Sequence, residues 1–142
     1  MSPKGLLVFH SSKEAFPKTI FFNESRSEQL IGLFNDGEFT PVAILPQGAT
    51  KDEANDSTQN TEIPWTIKPG VRDIDKTVQK RSTSVGDVIV DIANREAYAV
   101  IGDGFLQLDA KRLNLDGEIG NAKNLIQKDM RREHNLGKSL NM

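Results

Sequence analysis

Short apolar runs separated by polar turns predict the strands of this chain. Residues 5–10 (GLLVFH) form a compact apolar run of the kind that pairs into a sheet. Residues 40–45 (TPVAIL) form a second run, and Pro41 within it favours an edge strand or the first position of a strand. Between them, residues 19–22 (TIFF) predict either another strand or an extended segment. We therefore expect two or three strands before residue 46.

The clearest pattern lies at residues 87–108, where three short runs are separated by turns. Residues 87–92 (DVIVDI), 97–101 (AYAVI) and 105–108 (FLQL) alternate with segments that contain asparagine or glycine. β-Branched and aromatic runs joined by such turns are typical of antiparallel strands that follow one another. This region predicts an antiparallel meander.

Two segments of the first half carry helix signals. A serine cap and apolar residues at helical spacing predict a short helix over residues 27–34, ended by Asn-Asp-Gly. Residues 50–62 hold so few apolar side chains that a helix capped by Thr50 and a mobile loop fit them equally well. The only tryptophan, Trp65, brings the chain back toward the core, and residues 71–80 predict a long loop.

The last part of the chain predicts an amphipathic helix. It starts at residue 117 or 118, with Asp116 as its cap, and runs to His134. Its apolar positions recur at helical spacing on one side: Ile119, Ala122, Leu125, Ile126 and Met130. Residues 135–137 (NLG) are expected to end the helix and residues 138–142 to form a frayed tail.

Together these elements predict a single α+β domain. Its centre is a small antiparallel β-sheet with the meander around residues 87–108, accompanied by one short helix in the N-terminal half and one C-terminal helix. We expect residues 1–113 to form the domain. Residues 114–142 then form a helix and tail that pack on it or extend from it. The chain contains no internal repeat.

Composition narrows the classes of function. The 142 residues are 37% hydrophobic and 27% charged, as in soluble globular domains, and the net charge of −2 fits neither a basic nucleic-acid binder nor a polyanionic DNA mimic. The chain has no cysteine, which excludes disulfides and thiolate chemistry and suits the cytoplasm of a host cell. No apolar window approaches the length of a membrane span, so we expect no membrane partner.

Residues 81–90 (RSTSVGDVIV) raise the question of catalysis. Ser82, Thr83, Ser84 and Asp87 are residue types found in nucleophilic sites, but no histidine lies near them in sequence and the glycine-serine-glycine elbow is absent. The same residue types bond to nearby backbone in turns, and the β-branched residues that follow suit a strand. We therefore interpret the stretch as the lead-in to a strand and expect no catalytic residue.

Metal and cofactor sites have no sequence signature. The two histidines, His10 and His134, lie near opposite ends of the chain and outside any metal-binding spacing. Gly102 and Gly104 are better explained by a tight turn than by a phosphate-binding loop. We expect no metal, no cofactor and no enzymatic activity.

One group of residues follows a recognisable pattern: Glu38–Ala43, Thr58–Asn60, Trp65, Arg81–Val90, Tyr98 and the pair Gly104-Phe105. Together these residues resemble the YodL-like domain of small proteins from plasmids, phages and other mobile elements. The resemblance covers residues 37–108 and departs at Asn55 and Asp56, where relatives carry a more apolar helix. The family is largely uncharacterised, so the resemblance implies a mobile-element origin and no defined activity.

Binding surfaces are predicted on the C-terminal helix and on the exposed side of the Phe105 strand. The helix face opposite the apolar stripe is polar and partly basic, and it is either a contact surface or an ordinary solvated face. The predicted partner-binding residues are Asn124, Gln127, Lys128, Arg131, Arg132 and Phe105. Nucleic acid would be held through Lys123, Lys128, Arg131 and Arg132.

These features favour a non-catalytic accessory protein of a phage or plasmid. Such a protein would bind a host or defence-system protein, as anti-CRISPR and other counter-defence proteins do. The alternative is a nucleic-acid-binding accessory factor that uses the basic C-terminal helix, and a hydrolase built on the serine run is a third hypothesis. The sequence does not identify the partner. It leaves the oligomeric state open, because an edge strand near Thr40 could pair across a two-fold axis to form a homodimer.

Overall fold

The computed structural model describes residues 5–140 of the chain, with side chains described as far as residue 134. The strands of this part are β1 Leu6–Ser11, β2 Phe39–Leu45, β3 Arg72–Asp73, β4 Val88–Asp91, β5 Glu96–Ile101 and β6 Gly104–Leu108. The α-helices are α1 Phe16–Thr19, α2 Ser27–Asn35, α3 Lys51–Ser57 and α4 Leu115–Leu140. Short 3₁₀ turns lie at Glu24–Arg26, Trp65–Ile67 and Ala110–Arg112.

All strands join one antiparallel sheet in the order β3-β2-β1-β4-β5-β6. β1 lies inside the sheet, where all six of its residues are buried, which explains its unbroken apolar run. β4, β5 and β6 follow one another as adjacent antiparallel strands. The predictions of an α+β fold and of a meander are therefore confirmed.

Helices cover both faces of the sheet. On one face α2 and α4 pack against Leu7 and Phe9 of β1. On the other face α3 and Trp65 pack against Leu6 and Val8. Because neighbouring strand residues point to opposite faces, this alternation gives each face its own apolar core. Trp65 is fully buried, as the sequence indicated.

The first half of the chain contains the helix that was predicted and a second helix in the segment that the sequence left undecided. α2 lies where it was expected, with Leu30, Ile31 and Phe34 buried. α3 occupies the ambiguous polar segment, because Thr50 and Glu53 form a reciprocal capping box and the single apolar side chain facing the sheet, Ala54, is buried.

The prediction of a strand or extended segment at residues 19–22 was wrong. The segment begins with the end of α1, in which proline occupies the first turn, a position that proline favours. The chain then turns so that Phe22 enters the core while Phe21 stays 67% exposed. Residues 71–80 form a loop as expected, apart from the two-residue strand β3.

α4 is longer than predicted at both ends. It begins at Leu115, so Asp116 lies inside the first turn instead of capping it, and the N–H of Glu118 is bonded to the carbonyl of Asn114. It continues through residues 135–137 to Leu140, because glycine within a helix costs only about 1 kcal/mol. The predicted frayed tail is therefore helical over residues 138–140, and residues 141–142 lie outside the described part.

The apolar stripe of α4 is shorter than predicted. Leu115 and Ala122 are buried, and Ile119, Leu125 and Ile126 pack against the same core. Met130, assigned to the stripe from its spacing, is 54% exposed. At this level Asp129 instead faces the domain, where it meets Arg72 of β3. None of the helices in the described residues is long and apolar enough to cross a membrane.

Half of β2 has an open edge. β3 pairs only with Ala43 and Ile44, so within the described chain no strand pairs with the Phe39–Pro41 part on that side. A register shift lies here as well, because Val8 is opposite Ala43 while Phe9 is opposite Pro41. Pro41 is thus not the first residue of its strand, and β2 is not an edge strand of the sheet. Pro41 lies instead in the part of β2 with which β3 does not pair.

Candidate functional site

The carboxylate of Asp87 lies at the centre of a buried polar network. Its Oδ1 accepts the N–H of Ser11 at 3.0 Å, and its Oδ2 accepts the N–H of Ser84 at 2.8 Å. The guanidinium of Arg81 donates to the two oxygens at 2.8 and 2.6 Å. Asp87 is fully buried, so these charge-assisted bonds replace the water it loses on folding. They tie the end of β1 to the start of β4.

A chain of hydroxyl groups extends this network. Thr58 Oγ1 lies 2.8 Å from the carbonyl oxygen of Ala54, to which it must donate because a carbonyl oxygen only accepts. The Thr83 hydroxyl, 2.6 Å away, therefore donates to Thr58, and His10 Nε2 donates to Thr83 over 2.9 Å. This order places the proton of His10 on Nε2. Burial lowers the pKa of His10 to about 4, with the nearby Asp87 charge opposing the shift, so the ring is neutral at pH 7.

This geometry differs from that of a nucleophilic triad. In a triad, one ring nitrogen of histidine meets the nucleophile and the other meets the acid. Here Thr83 and Asp87 both approach the same Nε2 of His10, Asp87 at 3.9 Å. Thr83 is 5% exposed and Asp87 is fully buried, so neither side chain faces solvent. The arrangement holds loops together, which agrees with interpreting this stretch as the lead-in to β4.

Other residues of the motif also bond to backbone. The Ser82 hydroxyl accepts the N–H of Asn60 at 2.7 Å, and the indole N–H of Trp65 donates to the carbonyl of Arg81 at 2.8 Å. Gly86 has φ +86°, and a β-carbon there would lie 2.1 Å from the carbonyl oxygen of Thr19. One part of the residues that carry the family resemblance therefore lies in a single assembly, namely Thr58–Asn60, Trp65 and Arg81–Asp87.

The histidines do not meet. His10 is buried in the network, whereas His134 is exposed near the far end of α4. Across the residues that the structure describes, no group of three or more histidine, cysteine, aspartate or glutamate side chains is placed to hold a metal ion.

The predicted partner-binding residues fall into two separate places. Asn124, Gln127, Lys128 and Arg131 are exposed on α4, as expected from their spacing. Phe105 packs instead on the opposite face of the sheet, beside α3, with Lys51 Nζ 5.7 Å from its ring centre. The helix and Phe105 therefore do not form one surface.

Two of the predicted cations are less available than the sequence indicated. Arg132 is half-buried and lies 3.4 Å from Asp129, and Lys123 is half-buried. Asp129 is 2% exposed and also pairs with Arg72 at 3.1 Å and Lys76 at 3.4 Å. This cluster fixes the middle of α4 to β3. Sequence reasoning missed it because Arg72 and Lys76 lie more than fifty positions from Asp129 along the chain.

A groove of about 410 Å³ runs between the open half of β2 and α4. Glu118 lines it and is only 5% exposed, with the amide of Asn121 beside it. Burial raises the pKa of Glu118, and the Asn121 side chain opposes that shift. Two residues predicted to bind a partner, Asn124 and Lys128, also line the groove. The full lining is Gly37, Phe39, Thr40, Pro41, Glu118, Asn121, Asn124, Leu125 and Lys128.

Comparisons with protein-family models, with curated proteins and with solved structures found no significant match. The resemblance to the YodL-like domain therefore stays a prediction.

Proposed function

We propose that this chain is a non-catalytic accessory protein of a mobile genetic element, a phage or a plasmid. It acts in the host cytoplasm by binding a host or defence-system protein, as counter-defence proteins of the anti-CRISPR kind do. One observation carries the proposal: α4 and the open half of β2 enclose a groove that Asn124 and Lys128 line. These two residues were selected as contact residues from their positions on the helix.

The network around Asp87 supports a binding role over a catalytic one. The hydroxyl and carboxylate groups of the serine-rich stretch that are buried, those of Thr83 and Asp87, are bonded to other protein groups. Catalysis by this stretch requires groups that reach a substrate. The mobile-element part of the proposal depends on the family resemblance, and the binding part depends on the groove.

Charge favours a protein over nucleic acid as the partner. Affinity for nucleic acid grows with the number of phosphates that cations neutralise. Of the four predicted cations, Arg132 is paired with Asp129 and Lys123 is half-buried, which leaves Lys128 and Arg131 exposed. Two exposed cations beside Glu133 make a weak phosphate-binding surface. Amides and a carboxyl group in a groove are better suited to polar groups of a protein.

Affinity capture tests the proposal. The full chain is immobilised and exposed to lysate from phage-infected or plasmid-bearing cells, with and without nuclease treatment. The charge reversals Lys128→Glu and Arg131→Glu are treated in the same way. Both variants change an exposed cation of α4 in the same way, but only Lys128 lines the groove. We expect one host protein to be retained by the wild type and by Arg131→Glu, and lost by Lys128→Glu.

Two outcomes would refute the proposal. Capture of nuclease-sensitive nucleic acid, weakened equally by both reversals, would favour the nucleic-acid alternative. Capture of nothing above the background of an unrelated immobilised protein would count against binding itself.

A further inference from the structure

The groove lies beside the part of β2 that lacks a strand neighbour on one side. β3 pairs with β2 only at Ala43 and Ile44, and the last bond on this side joins the N–H of Ile74 to the carbonyl of Val42 at 3.0 Å. Beyond it, within residues 5–140, no strand pairs with the Phe39–Pro41 part of β2 on the side of β3. An exposed strand edge pairs with an extended peptide through main-chain hydrogen bonds, and on this edge Pro41, which has no N–H, contributes only its carbonyl.

The opposite wall of the groove is suited to a peptide. Asn121 and Asn124 present amides that both donate and accept hydrogen bonds, and Leu125 adds apolar contact. An extended peptide placed here would continue the line of β3 and would touch α4 with every second side chain.

Charges mark the two ends of the groove. Glu118 and Lys128 are ten residues apart on α4, about 15 Å at 1.5 Å per residue. In a strand, residues four apart lie on one face about 13 Å from each other. Glu118 is 5% exposed and has the Asn121 amide beside it, so a cation is favoured there, whereas the exposed Lys128 favours an anion.

The chain directions of β2 and α4, the two walls of the groove, indicate in which direction a bound peptide runs. The starts of β2 and α4 lie together, because the side chain of Asn35, just before β2, hydrogen-bonds to the backbone of Arg112 and Asn114, just before α4. The other end of β2 lies near the middle of α4, because Arg72 is opposite Ile44 and pairs with Asp129. β2 and α4 therefore run the same way, from the Glu118 end of the groove to the Lys128 end. Every strand pair of the described sheet is antiparallel, and an added strand that continues this pattern runs from Lys128 toward Glu118.

We propose that the groove binds an extended peptide segment of the partner, which adds to β2 as an antiparallel strand and carries an acidic residue four positions before a basic one. This inference rests on the proposed binding function and names the chemistry of the segment recognised. The acidic side chain meets Lys128, and the basic side chain meets Glu118.

Synthetic peptides test it on the full chain. The probe is the capped heptapeptide TDVTVKT, and the control is TKVTVDT, which has the same composition with its charges exchanged. Binding is followed by ¹⁵N–¹H NMR titration, which also reports the site. We expect TDVTVKT to shift the signals of Thr40, Asn121 and Asn124, and the control to bind about tenfold more weakly because both ends then meet like charge.

A reversal of the charge at Lys128 gives a second test. In Lys128→Glu, the heptapeptide TKVTVKT is expected to bind about tenfold more tightly than TDVTVKT, the reverse of the wild-type order. Because Lys128 is exposed, this variant should fold normally, and its NMR spectrum checks that it does.

Each failure points to a different claim. Equal binding of TDVTVKT and TKVTVDT, or no shift of groove signals at millimolar peptide, would overturn strand addition. If affinity capture still returned a protein that Lys128→Glu fails to retain, the proposed function would stand without strand addition. If TDVTVKT bound as expected but capture returned nothing, the proposed function would be wrong and the groove would keep its specificity. A dimer of the chain that TDVTVKT failed to dissociate would overturn the peptide occupant in favour of a second copy.

Discussion

The guanidinium of Arg81 and the carboxylate of Asp87 form a two-bond ion pair, with Nη1–Oδ2 at 2.6 Å and Nη2–Oδ1 at 2.8 Å. The same guanidinium lies over the ring of Phe16 at 4.5 Å and reaches the carbonyl of Ser11. One pair therefore joins the segment before β4 to the end of β1 and to α1. Asp87, a residue type that is also found in nucleophilic sites, therefore holds parts of the fold together.

Replacement of Asp87 by asparagine tests that support. Asp87→Asn leaves the guanidinium of Arg81 without its carboxylate, and breaking a buried pair typically costs about 3–5 kcal/mol. Because Arg81 stays partly exposed, we expect the lower part of this range. Urea denaturation measures the change in free energy of unfolding, with the exposed turn residue Asp103→Asn as the matched control. A loss below about 1 kcal/mol would contradict the structural role of the pair.

The hydroxyl chain makes a second prediction. Thr83→Val keeps the shape of the side chain but removes the acceptor for His10 and the donor for Thr58. We expect a loss of about 1–3 kcal/mol, because buried polar groups lose their partners. Ser84→Ala removes the half-buried hydroxyl of the next residue in the chain and should lower the free energy of unfolding by less. Equal effects of the two substitutions would mean that the chain of hydroxyls contributes no particular stability.

The buried histidine predicts a dependence of stability on pH. The pKa of His10 is about 4 in the folded chain and near 6.5 when unfolded, so between these values the unfolded state binds more protons. Its contribution is therefore complete above pH 6.5 and is lost as the pH falls toward 4, by roughly 3 kcal/mol. The difference in unfolding free energy between wild type and His10→Gln, measured from pH 7 to pH 4, should narrow accordingly. A constant difference would show that His10 titrates normally.

Gly86 provides a backbone test. A β-carbon at this position would meet the Thr19 backbone at 2.1 Å, and φ is +86°. Gly86→Ala should destabilise the fold by more than about 1 kcal/mol. Gly102→Ala is the control, since a β-carbon there meets nothing within 4 Å. Thermal unfolding of the two variants gives the comparison, and similar melting temperatures would be inconsistent with this packing.

The strands were predictable because their signal is local. β-Branched residues from Val88 to Val90 and the asparagine and glycine turns that follow specify a meander without help from distant residues. For α3 the sequence named Thr50 as a cap but left a mobile loop equally open, and the capping box with Glu53 decides for the helix. The apolar run of β1 was long enough to predict a buried strand.

The errors arose where tertiary contacts or a small local preference decided the outcome. Residues 19–22 have strand-forming side chains, but Pro17 favours the first turn of a helix. Gly137 was expected to end α4, although its cost in a helix is small beside the stability of a long helix.

The groove depended wholly on the fold. Nothing local to Glu118 or Asp129 distinguishes a buried carboxylate from a solvated one on a helix. Their environments arise because β3 is short and α4 crosses beside it. The exposed residues Asn124 and Lys128 were found from helical spacing, but the strand edge opposite them requires the sheet order.

The central claim, that the groove is the binding surface, is tested most directly by one pair of matched substitutions. Asn124→Arg places a bulky side chain in the groove, whereas Gln127→Arg adds the same cation to the exposed face of α4 outside the groove lining. Affinity for the captured partner is measured by titration calorimetry with each variant. We predict that Asn124→Arg weakens binding by at least about tenfold while Gln127→Arg matches the wild type. Equal affinities for all three proteins would contradict the claim.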